Sequence, residues 1–155
     1  MTSYATSPLL KWLRISDFFT PDGGYSFYGI GGEATYDDIV QGKIGNCWIM
    51  AAISAIAENP HYIERVFGAK AEESYINEYG FYDLNLYMLG APISLRIDDY
   101  IPTYSSYTTT LFSKMKNRGV WVSVLEKAFA KLNGNYSALI DGWPEEAINS
   151  ILGTP

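Results

Sequence analysis

The sequence predicts an α+β fold, mainly helical, built around one central buried helix with a small β-hairpin beside it. Three patterns carry that expectation: a nearly unbroken apolar run after Cys47, a period-two alternation from Tyr82 to Ile97, and an apolar stripe at helical spacing from Trp121 to Leu132. The 155 residues suit one domain or one lobe of a larger one, and 48% hydrophobic content is enough to bury a core.

Taken in order, residues 1–29 read as an irregular lead-in with a turn at Pro21-Asp22-Gly23-Gly24, while Tyr25, Phe27 and Tyr28 rest on the body of the domain. Gly29-Ile30-Gly31-Gly32 is a flexible loop, followed by Asp37-Asp38-Ile39-Val40. A helix is expected from about 47 to 58, apolar nearly all round and therefore internal, ended by Asn59-Pro60. Tyr82, Leu84, Leu86 and Met88 alternate with Asp83, Asn85 and Tyr87. After a turn at Leu89-Gly90-Ala91-Pro92, Ile93, Leu95 and Ile97 form the apolar face of a second strand. Asp98-Asp99-Tyr100-Ile101-Pro102 terminates this hairpin, and residues 103–110 are polar enough for an exposed loop. Trp121, Val124, Leu125, Ala128, Phe129 and Leu132 make one helical stripe, stopped by Asn133-Gly134. A last helix starts at Pro144, with Glu145 and Glu146 in its first turn, and runs to about Leu152. Gly153-Thr154-Pro155 reads as a linker-like boundary.

A net charge of −6 without a compensating basic cluster argues against a nucleic-acid partner, since Lys114, Lys116 and Arg118 are the densest positive stretch. The lone cysteine excludes internal disulfides and multi-cysteine zinc sites, and fits a reducing compartment. No secretory signal is visible at Met1-Thr2-Ser3-Tyr4-Ala5. The longest apolar run, 47–57, is far short of the ~20 residues a membrane-spanning helix needs. A soluble, cytoplasmic protein is expected.

Cys47 opens its helix, and a helix N-terminus presents free N–H groups and partial positive charge that favour a thiolate. Gln41, six residues earlier on a loop with Gly42 and Gly45, can return beside the sulfur as an oxyanion donor. The plainer readings are a small buried hydrophobe for Cys47 and a surface amide for Gln41. A cysteine nucleophile needs an imidazole partner. His61, the only histidine, lies 14 residues on, which along a helix rising ~1.5 Å per residue puts it about 20 Å away. It is read as a surface residue. Asp37-Asp38 and Asp98-Asp99 are turn residues or loop-end acceptors, though Asp38 with carbonyls of the 29–32 loop offers oxygen ligands for calcium.

Gln41-Gly42-Lys43-Ile44-Gly45-Asn46-Cys47-Trp48-Ile49-Met50-Ala51-Ala52-Ile53 resembles the active-site segment of the calpains, papain-like cysteine endopeptidases. The segment from Trp121 to Gly134 resembles a second calpain block, with Ile97-Asp98-Asp99-Tyr100-Ile101-Pro102 matching the family between them. The resemblance implies that Cys47 is the nucleophile and Gln41 the oxyanion-hole side chain, in the first lobe of a protease core spanning residues 30–155. It also implies that the histidine and asparagine of the triad lie in a second lobe downstream, with further domains possible beyond it.

Two positions depart from the family pattern. Asn46 stands where calpains usually carry Asp. Gly119 stands where they supply a carboxylate to a calcium site made with Asp38 and the carbonyls near Ile30 and Gly32. The expectation is a calcium-linked cysteine endopeptidase of protein or peptide substrates, whose isolated first lobe is inactive. The alternatives are a non-catalytic interaction or regulatory module and a folding unit whose Cys47 only packs.

Overall fold

The helix that opens at Cys47 is the axis around which the rest is arranged. In the computed structural model, which describes residues 10–18, 25–68, 76, 79–104 and 109–154, helix α1 is Cys47–Ile56. It buries Trp48, Ile49, Met50, Ala52, Ile53 and Ile56, while Cys47, Ala51 and Ala55, four residues apart, lie along one exposed line. The expectation of burial nearly all round is corrected: the helix is core on three sides and open on the fourth. Asn59 and Pro60 end it, but by starting another helix. Asn59 Oδ1 accepts from His61 N at 3.3 Å and Pro60 takes the first position of α2, Pro60–Phe67, which Gly68 closes at φ 64°.

The hairpin forms as its alternation requires. Strand β2 (Phe81–Met88) pairs antiparallel with β3 (Ala91–Asp98), placing Tyr82 opposite Ile97 and Leu84 opposite Leu95. Leu89 and Gly90, at φ 52° and 78°, make a two-residue turn whose twist suits the strands. Met88, expected on the buried face, is exposed along with Leu89, because the tip projects past the core.

Residues 10–14 of the lead-in, expected to be irregular, and 100–104 after the hairpin are strands. Strand β1 (Leu10–Arg14) pairs antiparallel with β4 (Tyr100–Tyr104), so that Trp12 faces Pro102. A short 3₁₀ turn, Ile15–Phe18, follows β1. Pro102 is compatible with β4 because both strands of a two-stranded sheet are edges. Arg14 donates to both oxygens of buried Asp99 from Nε and Nη2, at 3.0–3.2 Å, which ties the two chain segments together. Thr103 and Thr110 are both buried and bridge to each other, so the exposed loop expected over 103–110 is corrected at both of its ends. The expected turn at 21–24, the middle of that loop at 105–108, and the terminal Met1–Ala5 and Pro155 lie outside the described residues.

Helix α3 (Trp121–Leu132) buries its stripe as expected, apart from a half-buried Leu132, and also buries Val122, Ser123, Glu126 and Ala130. It is therefore enclosed on nearly every side, between β3, β4 and the 3₁₀ turn Tyr136–Leu139. Gly134, at φ 96°, follows its end. Helix α4 (Pro144–Leu152) spans the expected residues and packs on α1 and β2. Among the described residues no helix is long and apolar enough to cross a membrane.

The loop before α1 is clamped to the segment before α3. Lys43 N donates to Leu111 O at 3.2 Å, Lys114 N donates to Val40 O at 2.8 Å, and a Cβ at Gly42 would run into the Phe112 backbone. The close approach expected at Gly42 is real, whereas a Cβ at Gly45 would meet nothing nearer than Ile140 Cγ2 at 3.7 Å. Gly42→Ala is expected to lower stability by about 1–3 kcal/mol, since backbone and not a pliable side chain must yield. Gly45→Ala is expected to stay within ~0.5 kcal/mol. Urea unfolding midpoints of the two variants check this.

Candidate active site

Cys47 is the first residue of α1, exposed, with a free thiol. Asn46 precedes it at φ −105°, ψ 33°, and its carbonyl accepts from Ile49 N at 3.0 Å and Met50 N at 3.2 Å. Its side chain makes no capping bond to the helix, so the field of the helix N-terminus is left to the sulfur and to whatever anion forms beside it. Gln41 is held on its own loop: its Nε2 donates to Ile44 O at 2.6 Å. That bond uses one of two amide hydrogens.

The amide of Asn46 turns inward instead. Asn46 is fully buried, and its Nδ2 donates to Glu126 Oε1 at 2.7 Å. The other carboxylate oxygen, Oε2, accepts from Ser113 N at 3.0 Å and Ser113 Oγ at 2.7 Å, and Ser113 Oγ in turn meets Ser123 Oγ at 3.1 Å. Burial pushes Glu126 above the usual carboxylate range, against the hydrogen bonds from Ser113 and Asn46 and the charge of Lys114. The sequence reading gave Glu126 no role. The available signal was the single carboxylate of this helix, four residues after Val122 and three before Phe129 and so on the same face as both.

A second wall stands beside the cysteine loop. Trp48 Nε1 donates to Leu139 O at 2.8 Å and Asp141 N donates to Gly45 O at 3.1 Å. Gly142 lies so close to the Trp48 indole that a Cβ would come within 2.6 Å of Cε2. This fixes residues 139–143 along the loop, with Ile140 and Trp143 exposed at 47% and 67%. No sequence motif marked this wall; Gly142 is its only trace.

His61 sits in the first turn of α2, past the end of α1 remote from the sulfur, with Nδ1 on Glu64 Oε2 at 2.9 Å. Its exposed side chain matches the surface reading. Asp98 and Asp99 act as loop-end acceptors: Asp98 Oδ1 takes Tyr100 N at 2.9 Å and Lys127 Nζ at 2.6 Å, and Asp99 takes Arg14.

Asp38, the implied calcium ligand, is buried in the 3₁₀ turn Tyr36–Asp38. Its Oδ2 accepts from Thr35 N at 2.9 Å and from Trp121 Nε1 at 3.0 Å, and its Oδ1 from Asn117 Nδ2 at 2.8 Å. Three N–H donors therefore already face the carboxylate. Gly119 supplies no side chain, and its Cα is pressed against Tyr28 and Gly29, where a Cβ would come 3.2 Å from Tyr28 O. Among the described residues no three His, Cys, Asp or Glu side chains converge to hold a metal. The residues present do not fit a calcium ion.

The family model for calpain family cysteine proteases matches residues 2–155. The chain belongs to the calpain family. It is 35% identical over 151 residues to the calpain-1 catalytic subunit of Rattus norvegicus, matching 93% of this chain and 19% of that protein. It is 34% identical to the calpain-2 catalytic subunit of Gallus gallus, covering 80% of this chain and 17% of the relative. It is 31% identical to the calpain-type cysteine protease DEK1 of Arabidopsis thaliana, covering 92% of this chain and 6% of the relative. The chain thus spans a fifth or less of the length of these relatives.

Within this calpain-family chain, Asp38→Ala strands the buried Trp121 indole N–H and takes the acceptor from the Thr35 and Asn117 donors nearer the surface. It is expected to cost about 3 kcal/mol in urea unfolding, with the wild-type midpoint unmoved by calcium or a chelator. Glu126 gives a pH signature. Folded, it holds its proton above the ordinary value of 4.5, so its contribution to stability falls as pH rises from there through its raised value. Glu126→Gln should remove that fall, and its stability relative to wild type should rise with pH. Paired melting curves between acid and neutral pH measure the difference.

Proposed function

We propose that this chain is the nucleophile-bearing first lobe of a papain-like cysteine endopeptidase of the cytoplasm. The observation that carries the reading is an exposed, lone thiol on the first residue of a buried helix, with a glutamine amide on the loop that leads into it. In this reading the Cys47 thiolate attacks the scissile carbonyl carbon. The oxyanion that develops is held by the Cys47 backbone N–H and the second amide hydrogen of Gln41. A histidine from a second lobe, oriented by an asparagine, protonates the leaving amine, and water then releases the acyl group from sulfur. His61 cannot serve, because α1 lies between it and the sulfur.

Substrates are proteins or peptides in extended form, laid along residues 139–143. The lone thiol fits a reducing compartment. The calcium linkage that the resemblance adds finds no support in the donors around Asp38, and none of these steps uses it.

The 155-residue chain alone is expected to show no turnover of labelled casein. Joined to a histidine-bearing lobe, it should hydrolyse casein, be alkylated by an epoxysuccinyl peptide at Cys47 alone, and lose activity on Cys47→Ser. Gln41→Ala should lower kcat about 10²-fold. Turnover by the chain alone that survives Gln41→Ala would overturn the reading, and absence of labelling in the joined protein would favour a non-catalytic module.

A further inference from the structure

We propose that Glu126 is a positioning residue for Cys47, acting through the buried Asn46 amide and through Ser113. The inference rests on Cys47 being the nucleophile. Asn46 is one peptide bond from the sulfur's own residue, so whatever fixes Asn46 fixes the direction of the Cys47 N–H. An asparagine at this position normally turns back to cap its own helix. Here it forgoes that bond and reaches Glu126 Oε1 at 2.7 Å, leaving Asn46 Oδ1 buried without a partner among the described residues. A buried acceptor left unpaired is a cost that packing alone does not require.

The second carboxylate oxygen completes the anchor. Glu126 Oε2 holds Ser113 by its backbone N–H and its hydroxyl, at 3.0 and 2.7 Å. Ser113 lies between Leu111, whose carbonyl accepts Lys43 N, and Lys114, whose N–H reaches Val40 O. One carboxylate therefore grips the loop at its end, through Asn46, and near its start, through 111–114. Gln41 and Cys47, the two oxyanion donors, both hang on backbone between or beside these grips. Misplacing such groups by about 1 Å costs on the order of 10²-fold in rate.

The test uses the protein joined to its histidine-bearing lobe, with labelled casein as the probe. Glu126→Leu and Asn46→Ala are each expected to lower kcat about 10-fold or more with KM within roughly twofold, a split that marks loss of transition-state geometry. The double variant should be little worse than Glu126→Leu alone, because both remove the same bond. Glu126→Gln should keep kcat within about threefold, since its Oε1 can accept from Ser113 while its Nε2 donates to Asn46 Oδ1. If circular dichroism shows that Glu126→Leu does not fold, Asn46→Ala carries the test, because it leaves the Ser113 bonds in place.

Wild-type kcat in folded Asn46→Ala, losses that multiply in the double variant, or Glu126→Gln as impaired as Asn46→Ala would each overturn the proposal while Cys47→Ser remains inactive. Turnover retained by Cys47→Ser would instead remove the nucleophile reading, and this inference with it.

Discussion

In the proposed reading, one helix is core and working edge at once. The flanks of α1 are buried among apolar side chains, yet its first residue must stand in solvent if its thiol is to meet a substrate. A helix buried on all sides would hide the sulfur, and one lying on the surface would leave it without a rigid mount. The exposed line of Cys47, Ala51 and Ala55 resolves the conflict geometrically, because residues four apart share a face. The loop before the helix must then be held firmly enough that the exposure does not become fraying. Its clamps to residues 111–114 and to Glu126 supply that hold.

The same economy explains why two buried acids have unlike environments. Asp38 accepts three N–H donors, from Thr35, Trp121 and Asn117, and joins the start of α3 to the segment before the cysteine loop. Glu126 also accepts three hydrogen bonds, but deep in α3, where loss of solvent outweighs them and raises its proton affinity. Both brace the cysteine loop against α3, Asp38 from outside its start and Glu126 from within. The position where the family resemblance asks for a further carboxylate is Gly119, packed so tightly on Tyr28 and Gly29 that the backbone itself fills the space.

Much of the fold was legible because the patterns concerned are local. The alternation from Tyr82 to Ile97 forms its hairpin, the spacing from Trp121 to Leu132 forms its helix, and Pro144 starts the last helix. What escaped were elements whose reason is distant in sequence. Strand β1 has no alternation of its own and exists because β4 lies beside it, with Arg14 fixed by Asp99 85 residues away. Helix α2 was hidden because Asn59-Pro60, read as a stop, is equally a start. Met88 kept the right phase but overran the core, since periodicity records which face a residue is on and not how far the opposing surface extends.

By itself the sequence determined the α+β class, the placement of the lone thiol at a helix start, and the position of His61 past the far end of that helix, because each depends on periodicity and spacing between residues near one another in the chain. Tertiary structure alone decided that Asn46 faces inward to Glu126, that Asp38 is satisfied by nitrogen donors, and that residues 139–143 flank the cysteine loop. The direction of a buried polar side chain is set by the partner that compensates its lost water, and that partner lies about 80 residues away in the first two cases.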